Sequence, residues 1–450
     1  MAPRIRSNAK FALDRMRGSV PHGAVQRTNL QAGIMHEVII LGAGIVGLST
    51  AVNLALRGVA VTLVDRKGVG AGASYGNGGL IQREAVAPYP FPRAWGEILT
   101  HALRRSVTVN WQARAMPALA GRLLRYWQAS APAPYRRTVI AQAVLIGQAD
   151  RAHLDLADRI GPEVRALYHP TGWMRIHSDA AQMASDIATA EGWRRDFGVE
   201  FDILDGAALR AAEPDFIPDR AGALHWTQSP TLRDPQALLD ALAAFLQSLG
   251  GRILRGDAME LTRIGPRWRL PTDQGMVEAS DVVVAAGAWS AQITARFGFA
   301  PPVFGKRGYH RHYALRDGAR LSRPIVDKAS GFLLAPMARG VRLTTGVEFA
   351  GLDDAQTPVQ LERCEAIARN LLPLADAVEQ TPWMGIRPCS PDMRALVGPA
   401  PGISGMWCAF GHGHQGMTLG PLTGQLLGAM MVDGERPDWL TPFDPSRFSR

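Results

Sequence analysis

Cysteine and lysine are both scarce in this sequence. Three cysteines in 450 residues exclude a disulfide-stabilised scaffold, and Cys364, Cys389 and Cys408 lie too far apart in the chain for a zinc ribbon. Lysine provides only 4 of the 49 basic residues. The net charge of +9 is therefore carried mostly by arginine spread over the whole chain. This composition bias argues against a nucleic-acid-binding protein.

The sequence also lacks an uninterrupted apolar run of about 18 residues, so we predict no transmembrane span. Residues 1–34 hold six basic residues and one acid, without an apolar run of the length typical of a secretory signal. They are either an amphipathic targeting peptide or a segment upstream of the true start, since Met35 directly precedes the first predicted strand. In both cases we expect residues 1–35 to form a disordered basic extension.

The first motif is a glycine-rich turn between a predicted strand, residues 38–41, and a predicted helix. Gly42 permits a tight turn, Gly44 lets the backbone approach a pyrophosphate, and Gly47 allows close packing of the helix on the strand. Asp65 ends the next predicted strand, where its carboxylate can accept hydrogen bonds from ribose hydroxyls. This context predicts a dinucleotide site, and the acid argues against the 2′-phosphate of NADP.

A second glycine-rich segment, residues 70–80, favours FAD over NAD. An NAD enzyme would normally continue into further βα units. This segment instead places Ser74 and Asn77 among glycines, a composition suited to surrounding a long ligand with backbone amides. The alternative is a flexible surface loop.

Four motifs, in matching order, make the sequence resemble the D-amino-acid oxidase (DAO) family of FAD-dependent oxidoreductases. The resemblance is strongest to the small-subunit-like D-amino-acid dehydrogenases and covers roughly residues 36–432. The motifs are the fingerprint through Asp65 and Arg66, the glycine-rich segment 72–80, the strand and small-residue turn 280–290, and the C-terminal pair 383–388 and 411–418.

The resemblance implies an α/β fold (α+β overall) of the glutathione-reductase-like or DAO type. A Rossmann-like FAD-binding domain is expected to be interleaved with an antiparallel-sheet substrate domain. The expected boundaries are 36–85, 205–300 and 383–432 for the FAD-binding domain, 86–204 and 301–382 for the substrate domain, and 433–450 for a loose C-terminal tail.

A helical insertion is predicted over residues 93–165, which are rich in alanine, leucine, arginine and tryptophan. We expect Trp95, Trp111, Tyr126 and Trp127 to form its packed core. The alternative is that they form a face for a partner subunit or a membrane surface.

The resemblance implies FAD as the cofactor. We predict that it is bound non-covalently, because Gly385 stands where sarcosine oxidases carry the linking cysteine and Cys389 is four positions away. Met259 is expected to contact the adenine through its backbone, and the helix predicted over 417–431 is expected to point its N-terminus at the flavin. The implied cofactor-binding residues are Gly42, Gly44, Ile45, Val46, Gly47, Asp65, Arg66, Gly72, Ala73, Ser74, Asn77, Gly78, Gly79, Leu80, Met259, Ala286, Gly287, Trp289, His412, Gly413, His414, Gln415, Gly416, Met417 and Thr418.

The resemblance also implies three substrate-side residues. Arg387 is expected to bind the substrate carboxylate, for which a planar guanidinium is well suited. Tyr309 is expected to hydrogen-bond the same carboxylate. His414 stands where glycine oxidase has a second substrate-side arginine, and we expect it to face the pocket. The histidine pairs 310/312 and 412/414 lack an accompanying acidic or cysteine cluster, so we predict no metal site.

The implied activity is oxidative deamination of a D-amino acid, or of a cyclic or N-substituted amino acid, by hydride transfer from the α-carbon to flavin N5. Electrons are expected to pass to a quinone or electron-transfer protein. The alternatives are an oxidase of glycine-like or sarcosine-like amines and an FAD-bound subunit of a larger opine or amine dehydrogenase. We expect a cytoplasmic protein, with contact to the inner face of the membrane or to a partner subunit as a further alternative.

Overall fold

The computed structural model describes residues 36–217 and 219–449, so the expectation for residues 1–35 lies outside the described part. Within it, the strands β1 to β22 are, in order, Glu37–Leu41, Ala60–Asp65, Val109–Trp111, Tyr168–His169, Trp173–His177, Asp202–Asp205, Gly222–Trp226, Thr231–Leu232, Arg252–Arg255, Thr262–Ile264, Arg267–Thr272, Gly275–Ala279, Asp281–Val284, Phe304–Leu315, Ile325–Asp327, Phe332–Met337, Gly340–Thr344, Val347–Phe349, Leu374–Ala377, Trp383–Cys389, Leu396–Pro399 and Met406–Phe410. The helices α1 to α11 are Ile45–Ala55, Trp95–Ala102, Met116–Ala129, Pro132–Ile160, Pro162–Arg165, Ala180–Phe197, Gly206–Ala212, Pro235–Ser248, Ser290–Ala295, Val359–Ala368 and Gly416–Gly428.

A six-stranded sheet in the order β21-β22-β13-β1-β2-β9 carries the dinucleotide fingerprint. Its strands are parallel except β21, which pairs antiparallel with β22. Val38 and Ile40 on β1 pack into the core beneath α1 and α11, whereas Ile39 and Leu41 pack into a second core on the opposite face. Because both faces are covered, β1 is apolar at successive positions. The predicted Rossmann-like α/β architecture is confirmed.

The second large sheet is mostly antiparallel, and its long strand β14 pairs with β17, β18, β19 and β20. Its strands alternate along the chain with those of the parallel sheet. Two strands that the sequence analysis placed in the FAD-binding domain lie here instead. β7 pairs with β5, where Trp226 is opposite the buried Trp173, and β20 pairs with β14 over seven residues. Because of this pairing, β7 and β20 belong to the second sheet and not to the parallel sheet that carries the dinucleotide fingerprint.

Helices α1 and α11 lie close together and run parallel. A Cβ at Gly420 would lie 2.8 Å from Ile45 Cγ1, and one at Gly424 would lie 2.4 Å from the carbonyl oxygen of Ser49. Glycines four residues apart thus let the two backbones touch along one face. Because the contacts advance in the same direction along both helices, their N-termini lie at the same end. The predicted helix 417–431 is α11, followed by a π-helical turn, Ala429–Asp433.

The helical insertion is largely as predicted, but its expected core is wrong for one residue. Tyr126 is buried and Trp127 is half-buried with the Arg93 guanidinium 4.4 Å above its ring. Trp95, in contrast, is 79% exposed on α2, a helix without a buried residue. Leu99 on this helix is also exposed, whereas Ile98 and His101 are half-buried. None of the helices in the described ranges is long and apolar enough to cross a membrane.

Ala258–Glu260 forms a 3-10 turn capped by Asp257, and Thr262–Ile264 then pairs as a short strand. The segment after residue 433 is not a loose tail. Leu440 and Phe443 are fully buried in the core of the parallel sheet, because short 3-10 turns direct them inward.

Leu440→Ala tests the packing of the C-terminal segment. We expect the free energy of unfolding to fall by about 2–5 kcal/mol, because truncation of a fully buried leucine leaves a cavity. Urea denaturation of the FAD-loaded protein measures the change. Leu103→Ala, at a position that is 51% exposed, is the matched control and should change stability by no more than about 0.5 kcal/mol. Equal effects of the two substitutions would contradict the packing.

Candidate active site

The glycine-rich turn joins β1 to α1 at a point with no room for side chains. Gly42 has φ +111°, and a Cβ there would lie 2.5 Å from the carbonyl oxygen of Ala285. A Cβ at Gly47 would lie 1.9 Å from the carbonyl oxygen of Gly42. The first turn of α1, which includes Val46, therefore begins directly at the sheet edge. Helix first turns carry N–H groups without intrahelical partners and suit a phosphate ligand.

Asp65 at the end of β2 organises the backbone around this turn. Its carboxylate accepts hydrogen bonds from the N–H groups of Ala43 at 2.9 Å, Lys67 at 2.7 Å and Gly68 at 2.9 Å. A carboxylate has about four lone-pair positions. Most of its acceptor capacity is thus used by the protein, and about one position is left for a ribose hydroxyl.

The glycine-rich segment 70–80 is fixed to both sheets. Ser74 Oγ accepts from the N–H of Ile45 at 3.0 Å, and Asn77 Oδ1 accepts from the N–H of Gly79 at 2.8 Å. From the second sheet, Arg342 on β17 donates to the carbonyl oxygens of Tyr75 at 2.9 Å and Asn77 at 2.5 Å. These contacts favour a built ligand-binding segment over a flexible surface loop.

Two further residues, His312 and Glu379, form a hydrogen-bonded chain behind Arg342. Its Nε donates to His312 Nε2 at 2.9 Å, and His312 Nδ1 lies 2.8 Å from Glu379 Oε1. A guanidinium cannot accept a hydrogen bond, so His312 Nε2 must be the acceptor and Nδ1 must carry the proton. Burial and the Arg342 charge lower the pKa of His312, although Glu379 opposes the shift. The neutral imidazole thus orients Arg342 toward the segment.

The segment before α11 is held against β20. The N–H of Gly413 donates to the carbonyl oxygen of Pro388 at 2.7 Å, and His412 forms a β-bridge with Cys389. His412 Nε2 lies 3.0 Å from Thr423 Oγ1 within α11. The start of α11, at Gly416, is therefore joined directly to the strand that carries Arg387.

The remaining predicted cofactor residues are distributed around this region. Arg66 lies 4.6 Å above the Trp289 ring. Thr418 Oγ1 accepts from the N–H of Gln82 at 3.2 Å and contacts the Leu80 carbonyl oxygen at 3.4 Å, and Gln415 Nε2 lies 3.3 Å from Gln82 Oε1. Met417 lies in the core of the parallel sheet.

Open space borders parts of the cofactor region, and one expected contact does not fit. Side chains at Gly72 or Gly287 would meet no atom within 4 Å, whereas Gly78 packs against Leu333. Ala73 and Ala286 adjoin these glycines in the chain. The expected backbone contact of Met259 is wrong for its amide, because that N–H already donates to Asp257 Oδ1 at 2.9 Å.

These features fit an extended dinucleotide. The parallel α1 and α11 present two helix N-termini at one end of the molecule, and each carries a partial positive charge of about half a unit. The glycine turn leaves backbone amides accessible to a pyrophosphate, and the N-terminus of α11 suits the pyrimidine edge of a flavin. FAD would be held by α1, segment 70–80 and the segment before α11.

Arg387 is a half-buried cation held by carbonyl oxygens. Its guanidinium donates to the carbonyl oxygens of Gly346 at 3.1 Å, Thr345 at 3.2 Å and Arg307 at 3.4 Å. It reaches them across Gly308, where a Cβ would lie 2.6 Å from Nη1. Burial lowers the pKa of Arg387. Among the described residues no carboxylate pairs with it, which suits it to bind an anionic ligand.

Tyr309 lies on the opposite face of the sheet from Arg387. Lys306 is directly across from Arg387 in the β14–β20 register, whereas Tyr309 is across from Met384. Cross-strand partners share a face, and side chains alternate along a strand. Three residues separate Lys306 from Tyr309, so the two point to opposite faces.

The Tyr309 hydroxyl is also fully used. It donates to Glu348 Oε2 at 2.6 Å and accepts from the N–H of Thr357 at 2.9 Å. The expectation that Tyr309 binds the substrate carboxylate is therefore wrong, because strand alternation places it in the core behind the pocket.

His414 does lie on the pocket side. Its ring centroid is 4.9 Å from that of Tyr89. Burial, and then the charges of Arg387 and Lys306, lower the pKa of His414 to about 3. It is thus neutral near pH 7 and can donate or accept a hydrogen bond.

The sequence analysis missed Lys306, Tyr89 and Arg342 as residues of this region. Lys306 is two positions before Gly308, and the alternation of β14 could have placed it beside Arg387 once the β20 pairing was known. Tyr89 had no signal, because it comes from a loop. No group of three or more candidate metal ligands occurs within 36–217 and 219–449.

The family model described as DAO, FAD dependent oxidoreductase, matches residues 37–430. The chain belongs to the DAO family. It is 30% identical over 430 residues to a D-amino-acid oxidase of Bradyrhizobium diazoefficiens, covering 92% of this chain and 99% of the relative. It is also 30% identical over 400 residues to D-amino acid dehydrogenase 2 of Ralstonia nicotianae, covering 85% of this chain and 93% of the relative.

The fold agrees with this assignment. Glycine oxidase from Geobacillus kaustophilus superposes with a TM-score of 0.69 at 23% identity, covering 92% of this chain and 99% of that one. This DAO-family protein is thus an FAD-dependent amino-acid oxidoreductase, as the motifs predicted.

Arg342→Met tests the anchoring of segment 70–80. We expect the dissociation constant for FAD to rise by about 10- to 100-fold, because hydrogen bonds from a charged donor to Tyr75 and Asn77 are lost. Release of FAD fluorescence on dilution measures the change. The exposed Arg363→Met is the matched control and should retain the wild-type dissociation constant. Unchanged FAD affinity in Arg342→Met would contradict the anchoring role.

Proposed function

We propose that this protein is a D-amino-acid dehydrogenase that oxidises the bond between the α-carbon and the nitrogen of a D-amino acid or an N-substituted amino acid. The observation that carries the proposal is Arg387, a half-buried guanidinium that three carbonyl oxygens hold and that has no protein carboxylate within the described ranges. An amino acid brings the carboxylate that this cation lacks. When bound, FAD would accept a hydride from the substrate α-carbon at its N5 atom.

Arg387 would orient the substrate. Three backbone carbonyl oxygens hold its guanidinium plane, and the remaining N–H groups can bind a carboxylate in a fork-like geometry. Fixing the carboxylate fixes the direction of the bond from it to the α-carbon. Placement of this kind lowers the entropic part of the barrier to the chemical step.

His414 would provide a neutral hydrogen-bonding group beside this carboxylate. Its low pKa keeps it uncharged over the physiological range. It therefore adds no further positive charge next to Arg387 and Lys306. Tyr89 covers its ring and would help to exclude water from the bound substrate.

A steric clash at residue 385 supports non-covalent binding of FAD. A Cβ at Gly385 would lie 2.1 Å from the Trp383 ring, so a linking cysteine would clash with an indole that stacks on His310 at 4.7 Å. Burial raises the pKa of Cys389. Its thiol is therefore neutral and a weak nucleophile.

The names of the relatives support both electron acceptors. Relatives are named D-amino acid dehydrogenase at 30% and 27% identity and D-amino-acid oxidase at 30%. We favour the dehydrogenase, and oxidase activity is the second candidate. The exposed apolar side chains of α2 at Trp95 and Leu99, followed by Leu103, support contact with an acceptor-bearing membrane or partner surface. The cytoplasmic location stays a prediction.

Arg387→Met tests the carboxylate-binding role. We expect kcat/KM for a D-amino acid to fall by about 30- to 5,000-fold, because truncation of one partner of a desolvated charge pair costs about 2–5 kcal/mol. Anaerobic bleaching of the flavin band measures the rate. The wild type should bleach with D-amino acids and not with the corresponding primary amines. A rate in Arg387→Met equal to the wild-type rate would contradict the role.

The acceptor is tested by comparing oxygen consumption with reduction of a quinone analogue by the same holoenzyme. We expect quinone turnover to exceed oxygen turnover by at least about tenfold, which is a barrier difference of about 1.4 kcal/mol. Faster turnover with oxygen would support the oxidase instead. A free-FAD control without protein corrects for background reduction.

A further inference from the structure

Lys306 and Arg387 form a pair of cations on the pocket face of the second sheet. They are directly opposite each other in the antiparallel β14–β20 register. Side chains opposite each other have Cβ atoms about 4.5–5.5 Å apart, and like charges in this arrangement repel. A folded protein keeps such a pair when anions neutralise it.

The protein itself supplies no such anion in the ranges that the structure describes. Lys306 Nζ donates to the Tyr126 hydroxyl at 2.9 Å and lies 4.1 Å from the centre of that ring. The hydroxyl in turn donates to the carbonyl oxygen of Tyr89. An ammonium has three N–H donors. Its other N–H groups remain available to a ligand.

The neighbouring Arg307 provides an internal comparison. It points to the opposite face, where it is fully buried, and Glu348 lies 3.7 Å away with its side chain also fully buried. The fold thus supplies a carboxylate for the cation behind the pocket. It supplies none for the two cations facing the pocket.

Both positive charges act on the same small region. Arg387 and Lys306 both lower the pKa of His414, and both oppose the upward pKa shift of Cys389. His414 and Cys389 therefore lie within electrostatic reach of both cations. The aromatic rings of Tyr126 and Phe304, 4.1 and 5.7 Å from Lys306 Nζ, restrict water around the ammonium.

We propose that Lys306 is a second carboxylate-binding residue and that the substrate is an amino acid with two carboxylates, the second lying on the side chain or on the nitrogen substituent. This inference rests on the proposed function, in which Arg387 holds the α-carboxylate. Lys306 then determines specificity, because a monocarboxylic substrate leaves its charge without a paired anion.

Binding of simple carboxylates, read from perturbation of the flavin spectrum, tests the proposal without turnover. The probes are succinate and butyrate, which have four carbons each and differ in the second carboxylate. We expect the wild-type holoenzyme to bind succinate about 10- to 100-fold more tightly than butyrate. Lys306→Met should bring this ratio to within about twofold, and Lys306→Arg should restore most of it.

Arg125→Met is the matched control, because it removes one positive charge from the exposed surface of α3. It should keep the wild-type ratio, which separates a local contact from the general field of the protein. A wild-type ratio near one overturns the inference. It is also overturned if Lys306→Met weakens both probes equally, since Lys306 would then share the first carboxylate.

Two further outcomes separate this inference from the proposed function. If the wild type binds neither probe, both fail. If butyrate binds through Arg387 and succinate binds no more tightly, only the inference fails.

Anaerobic bleaching with D-aspartate, D-glutamate and N-carboxymethylglycine then locates the second carboxylate. Faster bleaching by D-aspartate or D-glutamate places it on the side chain, and faster bleaching by N-carboxymethylglycine places it on the nitrogen. D-Alanine outpacing all three would overturn the inference.

Discussion

The close parallel packing of α1 on α11 is the constraint on which the site depends. Glycines at 420 and 424 remove the side chains that would separate the two backbones. The first helix begins at the fingerprint near the start of the described chain, and the second begins after residue 415. Their direct contact, and the parallel strands β22 and β1 that precede them in one sheet, bring the two N-terminal ends together. The two N-termini can then bind a phosphate and the edge of a flavin ring at the same end of the molecule.

Charge is distributed unevenly across the second sheet. On the inner face, Arg307 has Glu348 and the Tyr309 hydroxyl donates to the same acid. On the pocket face, Arg387 has only carbonyl oxygens as hydrogen-bond partners among the described residues, and the neutral His414 imidazole lies within electrostatic reach. Burial without a counter-charge is costly for a cation. The proposed anionic substrate would supply the missing counter-charge.

Much of this arrangement was predictable from sequence. The fingerprint residues Gly42, Gly47 and Asp65 follow from local rules of strand, turn and helix, and these rules act within about 30 residues. Tyr309 could not be placed by local rules. Its motif suggested a substrate contact, but its face depends on the pairing of β14 with β20, which are separated by a long stretch of chain. The same non-local pairing hid Lys306, and the separate pairing of β7 with β5 puts β7 in the second sheet.

The burial of Leu440 and Phe443 has a consequence for synthesis of the protein. The parallel sheet draws its strands from residues 37–65, 252–284 and 396–410, and its core is completed by these two side chains. A chain emerging from the ribosome therefore cannot complete this core until it has been synthesised through Phe443. Such long-range closure is slow and leaves apolar surface exposed meanwhile. A chain that terminates before Leu440 would lack both side chains and would leave the dinucleotide-binding core open.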